Sequence, residues 1–408
     1  MRDQIARYSA KLLADRSAIP GTIAIAVQDD LLFAVGGEPE ATLAEQILGE
    51  LDALALVVAR PPLPFADLLI RRSSPESRQI VPNDTENRTF LHDIPFIRAE
   101  EQDSNLAKRI AGLLGGRKGV IVEGVGLVAV GSITVEQAYI NYSSVFHSTF
   151  VKYLQDLLDE GFLFPGEEEN FGAFRREWLL PLTADGLAFR SGPLEHREGI
   201  LDELATVGRY TVERGLVDSF FGNISCRCGG LIYISQTGAS LDALPGCIDP
   251  VPFDNSSTTG ITASSELLAH RRIYESSGVG TILHGHPRFA VVMSMLCQET
   301  ECRVDDCWKE CPKVRYLDDT PVVAGEIGAG GLARKVPPVI AGPGKAIVFG
   351  HGVFTTGTEG FREPLQRMID VENWCRDEYF RRLDRVTLHP ASKSVDKNAA
   401  VEVKRGSI

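Results

Sequence analysis

No run of apolar residues in this 408-residue chain is long enough to span a bilayer, and the opening Met1-Arg2-Asp3-Gln4 lacks the apolar core of a secretion signal. The first absence argues against a helical membrane protein, and the second makes the cytoplasm the expected home. Positive charge is scarce as well. Lys and Arg number 42 against 55 Asp and Glu, a formal net charge of -13, which argues against a general nucleic-acid binder and gives no footing on an anionic membrane. The eight cysteines are too unevenly placed for a secreted disulfide framework, so thiols are the expected state. What is present is ordinary for a soluble globular protein: 44% of residues are hydrophobic, in a chain whose length points to two domains.

Chemistry concentrates in residues 264–287, SSELLAHRRIYESSGVGTILHGHP. Ser264, Ser265 and Glu266 stand where a helix begins, and unpaired backbone N–H groups there favour anions. Leu267, Leu268, Ile273 and Tyr274 give that helix an apolar face, and Ser276-Ser277-Gly278 stops it. A strand then runs through Ile282 and Leu283 into His284-Gly285-His286. Alternate strand residues point the same way, so the two imidazoles project side by side and Gly285 leaves the other face clear. His-x-His alone is a weak signal. A carboxylate on the preceding helix and a later His351-Gly352 at a strand end strengthen it, because three histidines with a fourth position open are the arrangement of a catalytic zinc.

The chain also repeats itself. Residues 121–131 align without gaps on 347–357, each segment precedes a helix, and the helix–strand order of the first half recurs in the second. Tandem duplication is the economical reading. The first copy is chemically stripped: Val125 stands in the place of His351, Arg60-Pro61-Pro62 lies about where the His-x-His should be, and Thr22 replaces Asn223. Its expected tasks are packing against the second half or lining one wall of a pocket. Expected boundaries are a degenerate copy over 1–164, a linker over 165–195, a catalytic copy over 196–385, and a mobile polar tail over 386–408.

Gly222-Asn223-Ile224-Ser225, Thr237-Gly238, Ser264-Ser265-Glu266, His284-Gly285-His286 and His351-Gly352 follow one another in the order found in the class II aldolase/adducin family, which residues 200–385 therefore resemble. The resemblance implies an α/β fold: two tandem α/β/α domains around predominantly antiparallel sheets, assembled as a homo-oligomer. It implies a divalent metal on His284, His286 and His351, zinc first, with manganese, iron(II) or cobalt as alternatives. Such a metal stabilises the enediolate formed when a carbon–carbon bond breaks, with Glu266 as proton carrier. Gly222, Asn223, Thr237, Gly238, Ser264 and Ser265 are then the phosphate-binding residues. The implied partner is a small hydroxy-carbonyl phosphate, with no nucleic acid and no membrane.

Epimerases, dehydratases and decarboxylases of the family share these ligands, and its adducin branch keeps the fold as a scaffold without catalysis. Where family aldolases often carry a tyrosine proton donor, Asp305, Asp306 and Trp308 stand near the spot, with Tyr316 beyond. The same region carries Cys297, Cys302, Cys307 and Cys311, four thiols that could hold a zinc or an iron–sulfur cluster. Their spacing matches neither the paired CxxC pattern nor a ferredoxin run, and the sequence alone favours ordinary reduced cysteines in a loop.

Overall fold

Short apolar runs punctuated by turn clusters fold into two sheets in a computed structural model, which describes residues 1–388 except 218, 219, 298, 300, 301, 305, 326 and 327. The expected tail therefore lies almost wholly outside the described residues, as does Asp305. The first half supplies β1 (Ala24–Gln28), β2 (Leu32–Gly36), β3 (Ala55–Ala59), β4 (Gln79–Ile80), β5 (Ile94–Ile97), β6 (Gly119–Val122) and β7 (Gly126–Gly131). The second supplies β8 (Asn223–Cys228), β9 (Leu231–Ser235), β10 (Ile248–Pro252), β11 (Thr281–Gly285), β12 (Arg315–Leu317), β13 (Thr320–Val323), β14 (Lys345–Val348) and β15 (Gly352–Gly357).

The sheet orders are β2-β1-β3-β7-β6-β5-β4 and β10-β9-β8-β11-β15-β14-β13-β12. Setting β10 aside, one order superimposes on the other strand for strand. Both sheets are antiparallel except for one pair each, β5 with β6 and β13 with β14. The central strands are buried along their whole length, because helices cover both faces. Period-two alternation divides the first sheet: Ile25, Val57, Ile121 and Leu127 enter one core while Ala24, Leu56, Val120 and Val128 enter the other.

The ladder register corrects two sequence equivalences. Val58 pairs with Ala24 and Val128 in the first sheet as His284 pairs with Asn223 and Phe354 in the second. Val58 and Arg60 therefore stand where His284 and His286 do, and Ala24, not Thr22, stands where Asn223 does. The sequence comparison was drawn to the turn residues flanking the strands, whereas backbone hydrogen bonding fixes the register.

The stretch 165–195, expected as a linker, is not plain connection either. It contains the Glu167–Trp178 helix, whose Phe171 and Phe174 are buried. Glu167 is enclosed, paired with Arg72 at 2.6 Å and accepting from Tyr153 Oη at 3.0 Å. The two halves share one core, in which Tyr139, Phe146 and Phe150 of the Val135–Glu160 helix meet Phe289, Tyr379 and Phe380 of the second half. Among the described residues no helix is long and apolar enough to cross a membrane.

Candidate metal centre

His284 is the penultimate residue of β11, and His286 lies just past its end on the same face. His351 precedes β15, the neighbouring strand, so two chain segments deliver three rings to one point. Ring centroids lie 4.9 to 5.1 Å apart, and one ligand nitrogen from each ring falls within 4.8 Å of the others. The two glycines make this approach possible. A Cβ on Gly285 would sit 2.7 Å from Leu216 O, and one on Gly352 would sit 2.6 Å from His286 Cδ2 and 3.0 Å from His284 Cε1. Gly352→Ala should therefore force the histidine pair apart. The expected cost is about 1–3 kcal/mol of stability from overpacking, read as a lowered thermal midpoint together with weakened cation binding.

His284 and His351 are each oriented by a partner on the ring's other side. His284 Nδ1–H donates to Val353 O at 3.0 Å, which leaves Nε2 as its lone-pair nitrogen, 3.1 Å from Nε2 of His286. Two nitrogens bound tetrahedrally at about 2.05 Å lie about 3.3 Å apart, so this spacing suits a shared cation. Burial holds His284 down to about 4 and keeps His286 well below its ordinary value, so both rings are neutral, as ligands must be. The donor set fits a divalent metal: three imidazoles and one adjacent carboxylate.

Glu266 is that carboxylate. Its oxygens lie 3.2 Å from His351 Nε2 and 3.4 Å from His284 Nε2, and one accepts from Asn223 Nδ2 at 2.8 Å. Burial alone would raise its pKa, but His284, His351 and Asn223 together hold it below the ordinary carboxylate value. His351 is held from both sides. Its Nδ1 donates to Glu86 of the first half at 3.1 Å, and the two carboxylates outweigh burial and raise it to about 10, so a cation bound here would displace the Nε2 proton.

Behind Glu266 runs a buried relay. Tyr274 Oη bonds Ser225 Oγ at 2.7 Å, Ser225 Oγ bonds His270 Nδ1 at 2.7 Å, and His270 Nε2–H donates to the Asn223 carbonyl. His270, one turn along the helix from Glu266, serves to hold Asn223. In its neutral form, with Nε2–H donating to Asn223, His270 accepts on Nδ1 from the Ser225 hydroxyl. Burial accordingly lowers it to about 3, and lowers His147 in the Val135–Glu160 helix to about 3 as well. Both folded values lie below the unfolded one, so the stability they contribute is complete above about pH 6.5 and is lost as pH falls towards 3. The unfolding free energy from urea titrations should begin to drop below about pH 6.5, by up to roughly 1.4 kcal/mol per pH unit for each histidine.

The comparisons with known proteins bear on this geometry. A profile of the Class II Aldolase and Adducin N-terminal domain matches residues 202–379. An L-fuculose phosphate aldolase from Methanococcus maripaludis is 30% identical over 142 residues, 34% of this chain and 73% of the relative. The chain belongs to the class II aldolase/adducin family. A methylthioribulose-1-phosphate dehydratase from Gluconacetobacter diazotrophicus, 29% identical over 169 residues, covers 39% of this chain and 82% of its own. A crystal structure of L-fuculose-1-phosphate aldolase from Thermus thermophilus aligns with 47% of this chain and 98% of its own length at 23% identity, with a TM-score of 0.39.

In this class II aldolase-like half, the other residues singled out from sequence are distributed unevenly. The Thr237-Gly238 turn lies against residues 262–264, through Thr237 N–H to Thr262 O at 3.0 Å and the Thr237 hydroxyl to Ala263 O at 2.9 Å. Ser264 N–H donates to Ser235 O, its Oγ accepts from Glu266 N–H, and Ser265 is exposed at the rim. Gly222, with φ +111°, packs under His284 O. Asn223 turns inward, with both ends of its amide spent on Glu266 and His270. Tyr316 is 64% exposed on β12.

Glu86 carries no sequence signal. It sits on the Thr85–Leu91 helix, which buried Asp84 caps by accepting from Asn87 N–H at 2.9 Å. Thr85 N–H and its hydroxyl both donate to Gly350 O, at 2.7 and 3.1 Å, and so lock that helix beside His351. Glu86→Gln should weaken cation binding about 10–100-fold, measured by titration of the metal-free protein, since outer carboxylates orient and strengthen histidine ligands.

Proposed function

We propose that this family member is a metal-dependent lyase of the aldolase type, which breaks or forms a carbon–carbon bond in a small, phosphorylated hydroxy-carbonyl compound. The observation that carries the reading is the convergence of His284, His286 and His351 beside Glu266. The three imidazoles would hold a divalent cation, zinc first, which when bound would serve as a Lewis acid towards substrate oxygens.

The remaining work falls to the chain. Glu266 exchanges the proton at the reacting carbon or hydroxyl, and a nearby cation suits a carboxylate that must lose its proton easily. Asn223, fixed by His270, aims that carboxylate. The 237–238 turn with Ser264 and Ser265 is the proposed anion subsite, in keeping with relatives named for phosphorylated sugars. Glu86 and the Thr85–Leu91 helix would close one wall.

The first half then serves as a degenerate copy over residues 1–164 and the second as the catalytic copy over 196–385. The matching strand orders and the loss of both His-x-His positions to Val58 and Arg60 support this. The test is reconstitution. Chelated full-length protein is loaded with zinc, manganese, cobalt or iron(II) and offered L-fuculose 1-phosphate and related ketose phosphates. Aldehyde release should appear only with a cation present. A protein that takes up no divalent cation would instead favour a non-catalytic, adducin-like role.

A further inference from the structure

The second half departs from the first most strongly between the Arg288–Met295 helix and β12. Residues 296–314 make that connection, where residues 73–78 suffice between the Phe65–Arg72 helix and β4. From Cys297 to Cys311 its only large apolar side chains are Val304 and Trp308, too few to bury a core of their own. Yet Cys297, Cys302, Cys307 and Cys311 all line one cavity of about 20 Å³, backed by Phe349. All four are free thiols.

Among the described residues the three histidines alone bring three ligand atoms within 4.8 Å of one another, so the four sulfurs encircle their cavity rather than meet. They still sense one another: burial first, then Cys302, Cys311 and Cys297, push the Cys307 thiol above its ordinary value. Four thiols gathered at one place can share a soft cation by giving up their protons, and the basic side chains that line the same cavity already have oxygen partners. Lys313 pairs with Glu299 at 2.8 Å, and Arg315 donates to Ser294 O at 2.6 Å and Leu296 O at 2.7 Å. The cavity is little larger than one water-sized sphere, about 10–15 Å³, which suits a single ion better than a cage of iron and sulfide. Thiolates select soft ions, and four of them around one point make a closed structural zinc site.

We propose that Cys297, Cys302, Cys307 and Cys311 hold one zinc ion, which pins this connection against the segment carrying Phe349, Gly350 and His351. The connection is already tied to that segment at its edges. Gly325 N–H donates to Trp308 O at 2.9 Å, and Ser294, whose carbonyl binds Arg315, accepts from Gly350 N–H on its hydroxyl at 2.8 Å. This site is independent of the histidine centre and of the lyase reading.

The test uses the full chain with His284 and His286 both replaced by alanine, so that the thiol set alone can account for bound metal. One zinc per chain is expected, with an X-ray absorption spectrum showing a shell of four sulfurs at about 2.3 Å. Adding Cys302→Ser and Cys307→Ser should remove that ion. Should the histidine variant fail to fold, mercurial titration of the unmodified protein serves instead, and one zinc should be released as four thiols react. Four thiols reacting with no zinc released, a nitrogen or oxygen shell, disulfides among the four, or iron with acid-labile sulfide would each overturn the assignment.

Discussion

The His284→Ala protein should lose the cation held by the histidine centre, and with it all metal-dependent turnover. His284 is buried, stacked on Phe354 with centroids 3.9 Å apart, and its Nε2 faces both His286 and Glu266. Nothing else on β11 can take its place, since Gly285 and Leu283 flank it and Leu283 points into the core. Two remaining imidazoles do not make a three-ligand site, and the cavity left behind admits water that would compete for the cation. The measurement is metal content and calorimetric titration, with His196→Ala, an exposed histidine at a helix start, as the control that should change nothing. An alanine variant that bound the cation with undiminished affinity and retained turnover would remove His284 from the site.

Glu266→Gln should lower turnover about 10²–10⁴-fold, the contribution of a positioned acid–base group. Glutamine keeps the shape and a carbonyl that Asn223 can still bond, but it cannot exchange a proton. Under saturating metal the variant should therefore still carry its cation, with kcat falling far more than KM rises. The contrast with His284→Ala is the diagnostic: one change removes the metal, the other removes the proton carrier and leaves the metal. Unchanged kcat in Glu266→Gln would move the proton transfer to another group, and would demote Glu266 to a neighbour that merely balances charge on His351 and His284.

Much of the centre was readable because strand geometry is local. In any extended segment His284 and His286 must share a face, and a glycine between them implies something close on the other side, which proves to be Leu216 O and Met368. The recurring hairpin was readable for a similar reason: β6 with β7 and β14 with β15 form hairpins whose glycines recur in step, Gly126 with Gly352 and Gly131 with Gly357. Where the reading slipped, at Thr22 and at Arg60-Pro61-Pro62, it followed turn residues, which do not fix ladder register. The helix inside the expected linker was missed because its acidic first turn resembles a solvated stretch. Glu167 is buried only because Arg72, far back in the chain, is there to receive it.

The sequence by itself determined the pieces whose meaning is short-range: the histidine pair on one strand, the carboxylate at the head of a helix, the repeated hairpins, and the membership of a family that follows from them. Only the tertiary structure decided what those pieces touch. It assigned Asn223 and His270 to steadying Glu266, brought Glu86 from the stripped half onto His351, and gathered four scattered thiols around one cavity. Pairings across such separations leave no periodicity to read, because chain folding and shared burial create them, not the spacing of residues along the chain.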